Sequence, residues 1–396
     1  MAHPKIDEAL ELFYNGDTAA AEVILQEVGS GKLEPPAGLP PLDEAAFLEG
    51  VGGIQLVREQ GAEAAASFRK MIAAEEKGGA EPNGHATSWA KLGEALALTD
   101  ALDEAIEAFN KAVKLKEECN APAGSKLNVL FKYAECLFHR GKYKEAGEQF
   151  AKAAEVAEKA GEDAATLANL VLYRAESLKH MMAPMQASVR VQKGMQGVSA
   201  PPQVAILEQQ LEGQFKEAIE LYKKAEEFAN KAGLPDSFKL QIQRSLAETY
   251  HDAGRFVKGV MQRKKLVQQA ETQKLPPLEL GFMYHGLGES QKEMGQHAEA
   301  ADSFRKAISL KEKGEADKVS LGKSWFSLGE TLGAAKKMDA AIEAFTKARD
   351  LEEASQATDD NHRTRLKKYW STYGLCLQAN GKEEEGKAAQ AKAEAM

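Results

Sequence analysis

The feature that most constrains this chain is a spacing. "SWAKLGEALA" begins at Ser88 and "SWFSLGETLG" begins at Ser324, and both lead, 236 residues apart, into nearly the same continuation, "DEAIEAFNKAVKLKEE" and "DAAIEAFTKARDLEEA". Taking the small residue before the glutamate, Gly93, as an anchor, an alanine follows at Ala105, a large residue at Phe109 and a second alanine at Ala112. The same ruler fits Ala134, Ala146, Phe150 and Ala153, then Gly288, Ala300, Phe304 and Ala307, then Gly329, Ala341, Phe345 and Ala348. Looser fits are anchored at Ala9, Gly52, Ala175, Ile206, Ala247 and Gly374. Successive anchors lie 43, 41, 41, 41, 31, 41, 41, 41 and 45 residues apart. Six steps of one length mark an internal repeat, which overrides any domain count made from length.

Each unit reads as two helices. "KLNVLFKYAECLFHR" and "FMYHGLGESQKEMG" repeat apolar residues at i, i+3, i+4 and i+7, the pattern of an amphipathic helix. A short turn follows ("RGKY", "MGQH", "AGRF"), then a second helix such as "KEAGEQFAKAAEVAEKAG". Small residues at the anchor and at both alanines let the paired helices approach, and the large residue between them fills the gap. One such hairpin cannot bury its apolar face alone, whereas stacked hairpins share a continuous core.

Trp89, Leu92, Gly93, Ala105, Phe109 and Ala112, and again Trp325, Leu328, Gly329, Ala341, Phe345 and Ala348, fall at the positions that characterise the tetratricopeptide repeat. The resemblance covers nearly the whole chain in about ten units and is strongest in the middle and late ones. The first, second, fifth and tenth depart from it: in the fifth, Val191 and Gly194 stand where a large residue and an alanine are expected. The 41-residue period exceeds the roughly 34 of the basic motif. It is similar to the long repeats of kinesin light chains and of bacterial peptide-sensing regulators, although the chain shows neither the heptad coiled coil of the former nor the N-terminal helix-turn-helix of many of the latter. The resemblance implies an all-α, right-handed superhelical solenoid of about ten helical hairpins, with the first helices lining a concave groove.

The units divide the chain into an N-terminal capping hairpin (1–28), a Pro/Gly-rich loop with four prolines (29–43), repeats 2–5 (44–194), an irregular junction (195–202), and repeats 6–10 with a C-terminal cap (203–396). The stretch "HMMAPMQASVRVQKGMQGVSAPP", His180 to Pro202, is ten residues short of the period and holds four of the eleven methionines. It reads as a truncated second helix ending near Gly194 to Gly197, with Pro201 and Pro202 opening the next helix. A packing irregularity where two five-repeat halves meet is the preferred reading, ahead of a Met-lined partner pocket.

Composition narrows the functional classes. A net charge of −9 and 7% aromatics argue against phosphate neutralisation and base stacking, so no nucleic acid is expected. The opening "MAHPKIDEALELFYNGD" shows no basic region followed by an apolar one, and no run approaches 18 uncharged apolar residues, so neither a secretory signal nor membrane insertion is expected. Cys119, Cys136 and Cys376 are far apart, with no CxxC spacing, and no Asn-x-Ser/Thr acceptor occurs. A reducing, cytoplasmic setting is the expectation.

Catalytic signatures are lacking: there is no HExxH and no GxSxG. "DKVSLGKS" (Asp317 to Ser324) has the end of a phosphate-binding loop without its first glycine, and it opens a predicted helix. "AECLFH" and "AESLKH" place Glu135 with His139, and Glu176 with His180, one helical turn apart in neighbouring units. Two carboxylates and two imidazoles suit a transition metal, but two solvated pairs at helix ends are the simpler reading. No catalytic residue, cofactor or metal is expected.

A glutamate follows the anchor in six units: Glu94, Glu135, Glu176, Glu248, Glu289 and Glu330. The resemblance places this position on the groove, with Asn128, Phe131, Asn169, Leu172, Arg244, His285 and Phe326 around it. A row of carboxylates costs stability unless neutralised, either by Lys or Arg on the next helix or by a ligand. A basic, partly apolar peptide or helix is the expected partner. Co-chaperone arrays of the family hold a terminal carboxylate with Lys and Asn, and the Asn position is Glu here, so a chaperone tail is not expected. From Lys239 to Leu275 eight Lys or Arg stand against three acids, a net of +5 in a chain whose remainder carries −14. This reads as a solvated helix face, with a docking patch for an acidic partner or a second copy as the alternative. The predicted function is a non-catalytic scaffold or adaptor. The alternatives are a peptide-responsive sensor hinged at the fifth repeat and a self-assembling homo-oligomer.

Overall fold

The computed structural model describes residues 3–194, 202–355 and 361–396, which form eighteen α-helices and no strand. The chain divides into two compact units, Met1–Leu234 and Pro235–Met396. The first holds five hairpins: α1 (Pro4–Tyr14) with α2 (Thr18–Val28), α3 (Pro41–Val57) with α4 (Gly61–Gly78), α5 (Pro82–Leu98) with α6 (Leu102–Glu118), α7 (Ala123–His139) with α8 (Tyr143–Ala160), and α9 (Ala164–Gly194) with α10 (Pro202–Lys231). The second holds four: α11 (Asp236–Asp252) with α12 (Phe256–Thr272), α13 (Pro277–Glu293) with α14 (His297–Lys313), α15 (Lys318–Ala334) with α16 (Met338–Glu353), and α17 (His362–Ala379) with α18 (Glu383–Glu394). Within each unit the first helix of a hairpin packs on the second helix of the one before it.

The ruler of small and large residues is a steric slot. A Cβ placed on Gly93, Gly288 or Gly329 would lie 2.9, 2.8 or 2.7 Å from a ring carbon of Phe109, Phe304 or Phe345. Those separations are below van der Waals contact, so only a hydrogen at the anchor lets the ring seat between the two helices. Phe68, Phe109, Phe150, Phe304 and Phe345 occupy this slot in five hairpins and are no more than 3% exposed. Each such side chain stabilises the fold by roughly 1.5–3 kcal/mol relative to exposure.

A second position sets the turns. The seventh residue after the anchor is left-handed at Gly16, Glu59, Asp100, Gly141, Gly254, Gly295, Lys336 and Gly381. The next amide then bonds back to the first helix, as Lys142 N does to the Leu137 carbonyl at 2.9 Å, and the helix ends.

The fifth unit breaks this rule. Met182 stands at the turn position, is helical and buried, and α9 runs on through Pro184. The fifth and sixth units, expected as two hairpins, therefore share one. Anchor Ala175 lies in the first half of α9, and the matching Ala218, Tyr222 and Ala225 lie in the second half of α10. Ile206, expected as a loosely fitting anchor, is 58% exposed on α10. Eighteen helices thus make nine hairpins, and the 31-residue step is an insertion inside one repeat. The truncated second helix expected before Gly194 is the continuation of α9, and Pro202 opens α10. Residues 195–201 of the expected junction, Pro201 included, lie outside the described residues.

Two smaller expectations gain a physical account. Asp317 of "DKVSLGKS" caps α15, its carboxylate accepting from Ser320 N at 2.8 Å, so that stretch is a helix start. The proline-rich loop lays Leu33 and Leu39 on a terminal cluster of Ile6, Leu25, Phe47 and Ile54.

Candidate partner-binding groove

The first helices of the N-terminal unit, with Phe68, Leu102 and Phe109 of the second helices, line an open cavity of about 850 Å³. Its register is regular. The positions four and five after the anchor supply Leu56 and Val57 from α3 and Ala97 and Leu98 from α5, and the position after the anchor supplies Glu94 and Glu135. Two residues before the anchor come Lys91 and Lys132. Tyr14 from α1 is 62% exposed, as is Val57, and Leu98 is 52% exposed, so apolar surface stands open beside the charges.

Those charges are unevenly matched. Lys91 Nζ lies 2.6 Å from Glu49 Oε1 and 3.2 Å from Tyr14 Oη, and the phenol donates to the same carboxylate. This triad ties α1, α3 and α5 together. Burial works against the Lys91 ammonium, but the Glu49 carboxylate and the Tyr14 oxygen together outweigh it and raise its pKa. Glu94 has no such partner: burial raises its pKa, Lys132 and Lys91 offset this in part, and neighbouring Glu135 adds to it. Burial likewise raises Glu135, against the pull of Lys132 at 3.8 Å and of His139. Lys132 is thus shared between two half-buried carboxylates. The Cys136 thiol on the cavity wall is pushed up to about 11 by burial, which makes it a poor nucleophile.

Of the twelve residues predicted for the groove, six fall in each compact unit. In the first, Glu94 and Glu135 line the cavity. Phe131 is half-buried and packs edge-on against Phe150 and Tyr173 at 5.9 and 6.1 Å. Asn128 is exposed on α7, and Asn169 spends its amide on the Ala165 carbonyl of its own helix at 3.1 Å. Glu176 is half-buried but does not line the cavity, and Leu172 is buried.

In the second unit the ladder is neutralised internally. Lys292 Nζ lies 3.0 Å from both Glu289 and Glu330, and Lys368 adds a contact of 3.7 Å to Glu330. Burial opposes the charge on Glu289, yet Lys292 and a hydrogen bond from Ser327 hold it below the usual carboxylate range. Glu248 shares the field of Arg263, and Arg244 is exposed. His285 turns into a contact between repeats, its Nδ1 3.1 Å from Ser324 Oγ, and burial together with Lys311 pushes its pKa down to about 4. Phe326 is 4% exposed and stacks on Tyr369 at 4.4 Å. It is a core residue, because the next hairpin's first helix covers it.

The Glu/His pairs do not converge. His180 stacks on Tyr143 at 4.8 Å, while His139 borders the cavity. Among the described residues no three His, Cys, Asp or Glu are grouped to hold a metal. Lys91, Lys132, Tyr14, Val57 and Leu98 were absent from the predicted set. The signal for all five lay in the register, since the positions two before the anchor (Lys91, Lys132) and five after it (Tyr14, Val57, Leu98) recur in adjacent units.

Comparison with known proteins agrees with the repeat. The tetratricopeptide repeat family model matches residues 86–119, 283–313 and 322–355. Among curated proteins, none matches. Solved structures similar to this chain include BtubC (BKLC) from P. vanneervenii, with 16% identity over 64% of this chain and 89% of that one and a TM-score of 0.48. The apo quorum sensor NprR from B. thuringiensis shows 16% identity over 88% and 86% of the two chains and a TM-score of 0.46. Aspartyl phosphate phosphatase F from Bacillus subtilis shows 13% identity over 99% and 92% and a TM-score of 0.48. Among the described residues no helix is long and apolar enough to cross a membrane. With three hairpins matched outright and the same long spacing of anchors running through the others, the chain is similar to the tetratricopeptide-repeat superfamily, in a form with long repeats.

Proposed function

We propose that the chain is a non-catalytic scaffold that holds a peptide or helical segment of a protein partner against the first-helix face of its N-terminal unit. The cavity of about 850 Å³ carries this reading. Exposed Tyr14, Val57 and Leu98 border two carboxylates, Glu94 and Glu135, whose desolvation Lys132 offsets only in part. A segment presenting a Lys or Arg between apolar side chains complements that arrangement, since its cation restores a partner to the buried carboxylates while its apolar groups cover the open rim. The binding energy comes from both parts. Covering an aliphatic side chain is worth roughly 1.5–3 kcal/mol when complete, and a charge-assisted hydrogen bond adds about 1.5–3 kcal/mol. The three cysteines are free, and two are buried, which supports a reducing compartment such as the cytoplasm.

The test is affinity capture followed by mapping of the minimal peptide. Wild type is compared with Leu98→Glu, with Glu94→Gln/Glu135→Gln, and with Glu107→Gln on a second helix outside the cavity. The expected result is a peptide held by wild type and by Glu107→Gln and lost by both cavity variants. A partner retained by both cavity variants would move the binding surface elsewhere.

A further inference from the structure

On the outer face of the second hairpin helix, α6, α8, α10 and α14 carry a pair of carboxylates where α12 carries a lysine and a methionine. Counted from the anchor, the eleventh position is Glu63, Glu104, Glu145 and Glu299, and the fourteenth is Glu107, Glu148, Asp302 and Glu343. The long fifth hairpin keeps the pattern with Glu217 and Glu220. In α12 the same two positions are Lys258 and Met261, with Val257 just before. Helices α4, α6, α8, α14, α16 and α18 each carry a carboxylate in the first turn, and α12 carries none. The partial positive charge of this helix N-terminus therefore meets a lysine, an unfavourable arrangement.

The same face is apolar where α6, α8, α10 and α14 are acidic. Val257 and Met261, one turn apart, are 61% and 67% exposed, and Met261 is the most exposed large apolar side chain among the described residues. Lys258, Lys264 and Lys265 surround them, all exposed, and Lys264 and Lys265 make no ion pair among the described residues. Departures from a local rule that bring no gain within the fold mark functional surface.

We infer that the outer face of α12 is a docking surface for an acidic, amphipathic protein segment. Its carboxylates meet Lys258, Lys264, Lys265 and the uncompensated helix N-terminus, and its apolar residues cover Val257 and Met261. The basic face is one helix wide. The next second helix of this unit, α14, carries exposed Glu299 and Asp302 at the corresponding positions. A flat anionic bilayer would press against those carboxylates, whereas a single segment lying along α12 avoids them. This surface is separate from the cavity of the N-terminal unit, so the inference stands independently of the function proposed for that cavity.

The experiment is fluorescence anisotropy of a labelled helical peptide of about 20 residues, with Glu on one face and Leu on the other, titrated with the full chain. The variants are Lys258→Glu/Met261→Glu and Lys264→Gln/Lys265→Gln. The first restores the residue types of the other hairpins and is expected to fold at least as well as wild type, which a circular-dichroism melt verifies. Wild type is expected to bind with an affinity that falls as salt rises, each variant to bind about tenfold or more weakly, and Leu98→Glu to bind as wild type does. Four results would overturn the inference. These are no binding by wild type, equal binding by wild type and the charge variants, phosphatidylserine vesicles held by this face without competition from the peptide, and an oligomer seen in sedimentation that either variant dissolves.

Discussion

Twenty-three residues after the anchor, at the inner end of the second helix, four hairpins bury a charged side chain: Glu75, Lys116, Lys311 and Glu352. Each reaches across to the start of the next first helix, and Lys116 also bonds the first helix of its own hairpin. Glu75 accepts from Ser88 at 2.6 Å and faces His85 at 2.8 Å. Lys116 donates to Asn83, Thr87 and Ser125, and Lys311 to Ser324 at 2.9 Å. Glu352 holds His362 and Arg365 at 2.8 and 2.9 Å. The sign of the charge varies while its place does not, which fits a stitch that fixes how one hairpin registers on the next. Glu352→Gln removes the charge that His362 and Arg365 face across this joint and is expected to cost about 1.5–3 kcal/mol in urea unfolding.

Lys311 makes the same point through pH. Burial lowers its pKa to about 8, with Lys323 adding to the effect and Asp317 opposing it. Between pH 8 and about 10.5 the unfolded chain keeps a proton that the folded chain has released, so stability rises with pH across that window. His285, held near 4, behaves alike at the acid end, where the folded state resists protonation and stability is lost as pH falls from about 6.5 toward 4. Each limb is worth on the order of 2–3 kcal/mol. Lys311→Met is expected to flatten the alkaline limb and, because the Lys311 charge helps to hold His285 down, to shrink the acid limb to the part that burial sets, as read from unfolding midpoints across pH. The slot makes a steric prediction beside these electrostatic ones. Gly329→Val pushes a branched side chain into the Phe345 ring and is expected to destabilise by about 1–3 kcal/mol, with Phe345→Leu in the same chain recovering part of the loss.

At the scale of elements, the long hairpin of α9 and α10 is an ordinary repeat carrying 31 extra residues. Phe215 stands at the register where the other second helices begin, as Tyr143 and Phe256 do. Removing residues 184–214 and writing the Arg140-Gly141-Lys142 turn in place of 181–183 is therefore expected to leave a cooperatively folded chain with helix content lower by the excised part. Loss of cooperative unfolding would show that the insertion is structural. This element also marks where reading the sequence stops. The ruler is met loosely at Ile206, Ala218, Tyr222 and Ala225, with a large residue at the anchor, so periodicity alone reports a separate hairpin. What decides the matter is whether the seventh position after Ala175 can end a helix, and Met182 does not. The same limit governs the groove. Glu94 and Glu135 were legible because their position repeats, whereas Phe326 and His285 depend on how the next hairpin covers them, through Tyr369 and Ser324. α12 shows a third kind of loss: Arg263 occupies the position of the slot phenylalanine, and room for its guanidinium comes from Gly286, a residue of another hairpin.

At the scale of the whole molecule, an array in which each hairpin contacts its neighbours has a stability that is a sum of local terms, and such a sum can be cut where compact units end. That place is between Leu234 and Pro235. The C-terminal piece, Pro235–Met396, has four hairpins and its own apolar clusters around Tyr284 and around Phe326 and Phe345. It is long enough to bury roughly 70% of the surface its unfolded chain exposes. Both pieces are expected to fold alone, seen as helical far-ultraviolet spectra and a single cooperative melt for each. Because the cavity with Glu94, Glu135, Val57 and Leu98 lies wholly before the cut and α12 wholly after it, folding of the pieces separates the two surfaces. The peptide captured by the groove should follow residues 1–234, and the acidic peptide should follow residues 235–396. If a correctly folded N-terminal piece loses the groove peptide that the full chain holds, recognition draws on residues beyond Leu234 and the cavity alone is insufficient. If it keeps the peptide and also takes the acidic one, the charge inversion on α12 is not the feature being read.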